Sequence, residues 1–170
     1  MPLGVTSIGE WAFKNCYRLK NFTLSIDITT IGDNAFKNAK IETLYILCDL
    51  PATSTYYPYF ESANIGHAII GGQVTSIGAF AFIRSNIQKL TLGENFLSLG
   101  EYALYDCKQL TEIYCKSEMP PLAASSFRNL ASIDNIYVPI SEGNSVINAY
   151  KSADGWSDYA TYIKEYDFSK

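Results

Sequence analysis

Only one residue in this chain of 170 could act as a base near neutral pH, the single histidine His67. A nucleophilic serine would have to borrow that histidine, and no G-x-S-x-G turn exists to present one. The carboxylates are scattered, without a close acid and base pair. Gly71-Gly72 opens no long helix and so builds no phosphate cradle. The four cysteines, Cys16, Cys48, Cys107 and Cys115, have only His67 to join them, which leaves no Cys/His metal set and no expected cofactor. What the chain has in number is tyrosine, 13 residues of 170. Tyrosine offers large, rigid contact area at low entropy cost. The chemistry on offer is recognition, and no enzyme is expected.

The bulk properties narrow the partner. Net charge is −4 and the pI is about 5.0, which supplies no basic face for nucleic acid or for anionic lipid. With 48% hydrophobic and 18% charged residues the chain is globular. No apolar run reaches the roughly 18 residues of a membrane-spanning helix, so no direct insertion is expected. Met1-Pro2-Leu3-Gly4 has neither the basic start nor the apolar stretch of a signal peptide. A repeat begins almost at once after it, and an uncapped first repeat would expose core. The expectation is a fragment whose export signal lies upstream.

The elements that would position the tyrosines follow from periodicity. Ile8-Gly9-Glu10-Trp11-Ala12-Phe13 returns as Ile31-Gly32-Asp33-Asn34-Ala35-Phe36 and again as Ile77-Gly78-Ala79-Phe80-Ala81-Phe82. The last position runs Phe13, Phe36, Phe60, Phe82, Leu104, Phe127, in steps of 23, 24, 22, 22 and 23. A second column, Thr23, Tyr45, Ile69, Thr91, Tyr114, Tyr137, keeps the same beat. Such periods mean stacked repeats. Within a unit, Phe22-Thr23-Leu24 alternates in, out, in, as a strand does. Stacked units place these strands in a parallel sheet. Ile8 and Phe13 enter the core from the opposite wall, Glu10 to Lys14 is long enough for one helical or 3-10 turn, and Val5-Thr6-Ser7 and Val74-Thr75-Ser76 read as short extended segments. Asn15, Asn38, Asp106 and Asn129 sit where the chain turns back. Cys16 and Cys107 share a repeat position several strands of about 4.8 Å apart, beyond the reach of a disulfide, so four unpaired thiols are expected.

ITTIGDNAFKNAKIETLYI and VTSIGAFAFIRSNIQKLTL closely resemble the BspA-type (bacterial surface) leucine-rich repeat family, with its I-G-x-x-A-F followed by L-x-x-L-x-L. The resemblance covers Val5 to Val138. It implies an α/β fold: a right-handed solenoid of about six repeats of 22–24 residues, with the sheet on the concave wall and short helical or 3-10 turns on the convex wall. It brings no catalytic residues. It also implies an extracellular or surface-attached bacterial protein that binds matrix proteins or other cells.

Two stretches depart from the pattern. The third unit reads Thr53-Ser54-Thr55-Tyr56-Tyr57-Pro58-Tyr59-Phe60 and loses the I-G motif. After Val138 the repeats stop. Ser145 to Lys151 and Trp156 to Glu165 read as two short helices, with Trp156 anchoring a cap on the open end of the stack. The expected organisation is one repeat domain over residues 1–170, with repeats over 5–138 and a helical C-terminal cap over 139–170.

Function then falls on the outward columns of the sheet. The central column holds Tyr45, Tyr114, Tyr137, Ile69 and Thr91, and the preceding one His67, Lys89 and Glu112. His67 is expected just before the third strand. Tyr56, Tyr57 and Tyr59 form a second candidate in the irregular unit. The leading expectation is a non-enzymatic module that binds a protein partner through the concave sheet. A glycan-binding module and a structural spacer are the alternatives, and cross-strand pairing that only stabilises the sheet remains open for the tyrosines.

Overall fold

The computed structural model describes residues 4–170. In chain order its strands are β1 (Ser7–Ile8), β2 (Leu19–Leu24), β3 (Thr30–Ile31), β4 (Lys40–Ile46), β5 (Asn64–Ile70), β6 (Ser76–Ile77), β7 (Asn86–Leu92), β8 (Ser98–Leu99), β9 (Glu112–Cys115), β10 (Asn135–Pro139) and β11 (Ile163–Tyr166). The long strands join in one parallel sheet in the order β2, β4, β5, β7, β9, β10, β11, the order of the sequence. Each coil of the chain therefore adds one strand. The two-residue strands pair β1 with β3 and β6 with β8, at the extended segments the sequence marks.

Between short and long strands lies a wall of turns, not the expected helical turn. Glu10 to Lys14 is a run of turns, and its amides divide their partners by turns. Ala12, Lys14 and Cys16 donate to carbonyls three residues back, while Trp11, Phe13 and Asn15 donate to Asp33, Ala35 and Lys37 of the next coil. A helix would spend every amide within its own coil. This alternation leaves every second one to hold the stack together, which satisfies the backbone more fully. The arrangement needs left-handed backbone twice per coil. It occurs at Trp11 and Asn15 (φ 56° and 61°), at Asn34 and Asn38 (52° and 58°), and at Tyr102 and Asp106 (53° and 61°). Asparagine and aspartate tolerate that region best, which explains Asn15, Asn38, Asp106 and Asn129. Their side chains also form rungs: Asn38 Nδ2 donates to Asn15 Oδ1 at 3.2 Å, and Asn129 Nδ2 donates to Asp106 Oδ1.

Inside, Phe13, Phe36, Phe60 and Phe82 stack as a spine, with ring centroids 5.1, 5.0 and 4.8 Å apart. The inward residues of the strands, such as Leu24, Leu44, Ala68, Leu90 and Ile113, meet them in one continuous core. The four cysteines are free, Cys16 half-buried and the other three buried. Burial pushes the Cys107 thiol up to about 12.

The end of the chain differs from expectation. Helix α1 (Ser145–Ser152) forms as read, but the second helix is only a 3-10 stretch at Ser157–Tyr162. Residues 163–166 are strand β11, parallel to β10. Ile163 is buried against the core and Lys164 and Tyr166 are exposed, a strand-like alternation. Trp156 is fully buried. Its indole N–H donates to Pro121 O at 2.7 Å, and its ring packs on Phe127 and Tyr150 at 4.7 and 5.1 Å.

Candidate functional site

Strand register brings the outward columns together as the spacing predicts. Thr23, Tyr45, Ile69, Thr91, Tyr114 and Tyr137 pair in succession. So do Asn21, Thr43, His67, Lys89, Glu112 and Asn135. His67 lies inside β5, not before it, because the strand starts at Asn64.

On β5, β7 and β9 the polar residues hold one another. His67 Nε2 and Thr91 Oγ1 are 2.8 Å apart, a hydrogen bond. Thr91 is 8% exposed, so it supports His67 and offers little contact surface of its own, contrary to its place among the exposed candidates. Lys89 Nζ reaches Glu112 Oε2 at 2.7 Å, and the Tyr114 hydroxyl donates to the same oxygen at 3.1 Å. Burial and the adjacent Lys89 ammonium lower the His67 pKa, against a smaller pull from Glu112, so the imidazole is neutral at pH 7. The hydrogen bond from Lys89, together with that from Tyr114, holds Glu112 below the usual carboxylate range despite partial burial. Burial and the neighbouring Glu112 carboxylate push the Tyr114 phenol up to about 12.

Beside this polar set lies an aromatic one. Tyr114 and Tyr137 stack at 4.8 Å, and Tyr166 closes on both, at 5.7 Å from Tyr114 and 5.2 Å from Tyr137. Phe168 packs on Tyr166 at 4.9 Å. Tyr166 and Phe168 join His67, Ile69, Thr91 and Tyr114 around a shallow hollow of about 290 Å³, with Lys116 and Lys170 at its rim. Sequence reading missed Tyr166 and Phe168 because their stretch read as helix. The alternation of Ile163, Lys164, Glu165 and Tyr166 was the available signal.

Tyr45 does not belong to this cluster. It sits between Thr23 and Ile69, and Ile69 and Thr91 separate it from Tyr114. The second candidate also divides. Tyr56 and Tyr57 are exposed, 6.4 Å apart, whereas Tyr59 is 4% exposed, packs on Phe60 and donates its hydroxyl to Ala52 O. Tyr59 is core, because the Phe36 amide docks on its carbonyl and fixes it inside the stack. Among the described residues no three His, Cys, Asp or Glu side chains converge to hold a metal ion, and no helix is long and apolar enough to cross a membrane.

No protein of the curated set matches the chain. The family described as BspA type Leucine rich repeat region (6 copies) matches residues 1–57 and 57–153. Repeats of this type generally serve as protein-interaction and adhesion modules, typically non-enzymatic and associated with bacterial surfaces. With stacked parallel coils in the structure and the match running from residue 1 to residue 153, the chain belongs to the BspA-type leucine-rich repeat family.

Proposed function

We propose that this chain is a non-enzymatic binding module of a bacterial surface or secreted protein, acting as one repeat domain over residues 1–170 with repeats over 5–138 closed by 139–170. Its partner is another protein, such as an extracellular-matrix protein, engaged through the outer face of the long sheet. The observation that carries this reading is the Tyr114–Tyr137–Tyr166 cluster, three half-exposed or exposed rings beside the Lys89–Glu112 pair. Aromatic residues in such a setting are the usual anchors of protein interfaces. A charged pair at their edge supplies orientation more than affinity.

The test is solid-phase binding to a panel of immobilised extracellular-matrix proteins. Tyr114→Ala/Tyr137→Ala/Tyr166→Ala should keep its circular dichroism and lose about 30-fold or more in affinity, the effect of one hot spot of ~2 kcal/mol. Tyr45→Ala, outside the cluster, should change affinity by less than about threefold. Equal binding by the triple variant and the parent would remove the sheet face from consideration. Retention of glycans on an array, with no protein bound, would favour the carbohydrate reading.

A further inference from the structure

The wall of turns carries a second recess, of about 470 Å³, on the side of the coils away from the long sheet. It is lined by Phe80, Ile83, Tyr102, Tyr105, Arg128 and Thr55. Two repeat positions build it. Phe80 and Tyr102 stand two residues before the spine position, where Trp11 and Asn34 stand in earlier coils. Ile83, Tyr105 and Arg128 stand one residue after it, where earlier coils have Lys14, Lys37 and Glu61.

Both columns change character here. The position after the spine is charged through the first three coils, and Lys37 and Glu61 pair at 2.8 Å. At Ile83 and Tyr105 it becomes apolar, and Ile83 is only 5% exposed. Phe80 and Tyr102 stack at 5.7 Å, and Tyr105 meets Tyr102 edge-on at 5.6 Å. Phe80 and Tyr102 hold this geometry at φ 62° and 53°. Left-handed backbone is unfavourable for bulky side chains and suits the Asn34 of an earlier coil far better. Packing of the neighbouring coils enforces the conformation, and these coils carry rings there all the same.

Arg128 closes one side. Its guanidinium lies over the Tyr102 ring at 5.6 Å and has no ion pair or side-chain hydrogen bond among the described residues. Arg84, by contrast, is committed: it donates to Thr55 O and lies 3.4 Å from Glu61. Asp106, the carboxylate of the same coil as Tyr102, is occupied by Lys108 at 3.0 Å and by Asn129. The recess thus combines aromatic walls with one uncommitted planar cation, whose donor fork suits a carboxylate.

We propose that this recess binds an aryl group that carries a carboxylate, the ring against Phe80, Tyr102 and Ile83 and the carboxylate on Arg128. The ligand is either a free aromatic acid or the C-terminal aromatic residue of a peptide, which share that chemistry. The site is independent of the sheet face. It is tested by titrating ¹⁵N-labelled protein with 3-phenylpropionate, with the peptide Ac-Ala-Ala-Phe bearing a free C-terminus, and with the C-terminal amide of that peptide. Saturable shifts confined to the amides around Phe80, Ile83, Tyr102 and Arg128 are expected with an acid probe, at about millimolar affinity for so small a ligand. The peptide amide should bind about tenfold more weakly than the peptide acid. Arg128→Gln should erase that difference and leave amide binding intact, while Tyr102→Asn, a residue at home in left-handed backbone, should abolish both. Binding of phenylpropionate as tight as that of the peptide assigns a free acid, and binding of the peptide alone assigns a chain terminus. Equal binding of acid and amide by the parent protein, or no saturable shift at these residues, overturns the proposal.

Discussion

The two walls of the coil obey different rules. On the sheet wall every coil repeats the same ladder, and the constraint falls on side-chain parity: inward residues are apolar, and outward ones vary freely from Thr23 to Tyr45 to Ile69. On the turn wall the constraint falls on the backbone. The glycine after the first isoleucine or leucine of the motif recurs in four of the coils, at Gly9, Gly32, Gly78 and Gly100. A Cβ at Gly32, Gly78 or Gly100 would lie 2.4, 2.2 or 2.3 Å from a backbone nitrogen of the preceding coil. Glycines on the sheet wall, such as Gly66 and Gly71, follow no such rule of recurrence. The repeat motif is therefore mostly a record of the turn wall, and the sheet wall is where sequence is left free for recognition.

The sharpest way to break this contrast is a pair of alanines. Gly100→Ala sets a methyl against the backbone of Gly78 and Ala79, which cannot yield without parting the coils. Denaturant unfolding should show a loss of about 3 kcal/mol or more. Gly71→Ala meets the movable end of Leu47 first, at 2.9 Å, and should cost about 1 kcal/mol. No described residue comes within 4 Å of a Cβ at Gly9, so Gly9→Ala should stay within about 0.5 kcal/mol. Equal losses at Gly100 and Gly9 would mean that the close approach of coils is not what the glycine serves.

A smaller effect should appear with the opposite sign. Trp11 is 52% exposed at φ 56°, and its ring meets the Lys14 ammonium at 5.0 Å. Trp11→Asn removes left-handed strain worth about 1–2 kcal/mol and loses a surface cation–π contact worth about 0.5–1 kcal/mol. A net gain of about 0.5–1 kcal/mol in thermal unfolding is expected. A loss would show that rings on the turn wall stabilise the coil.

The smallest effect belongs to the sheet wall. Burial and Lys89 hold the folded pKa of His67 below its ordinary value of 6.5. As pH falls the unfolded chain takes up the proton first, so the contribution of the neutral His67–Thr91 pair is whole above about 6.5. It erodes between the unfolded and folded values and stays constant below them. An NMR titration should place the imidazole midpoint below 6.5, and the difference in stability between the parent and His67→Gln should shrink as pH drops through that window. A midpoint above 6.5 would mean that Glu112, not burial and Lys89, governs the ring.

These contrasts also explain what the sequence could tell. The stack, the register of the columns and the buried comb were legible because each is a periodic demand of apolar burial, met again in every coil. The turns were misread as helix because Glu10 to Lys14 has helix-like length, while its deciding feature, hydrogen bonds from Trp11, Phe13 and Asn15 to the next coil, is a property of two coils at once. Tyr45 and Tyr114 looked equivalent, since position in the repeat fixes the column and not the neighbours. Tyr166 was hidden because β11 follows α1 and a 3-10 stretch and not a repeat motif. Tyr59 was placed outside with Tyr56 and Tyr57 because the broken unit gives no periodic cue for which ring turns inward.

The alternating amides of the turn wall have a mechanical meaning. Each coil is fastened to the next along both walls, by the strand ladder on one and by every second turn amide on the other. Tension between the two ends loads these bonds one junction at a time, since a coil is tied only to its immediate neighbours. A coil of 22–24 residues would pay out about 75–85 Å of extended chain as it lets go, and the coils behind it would stay closed. A molecule built this way, placed between a cell and whatever it holds, lengthens in instalments under load and does not fail all at once.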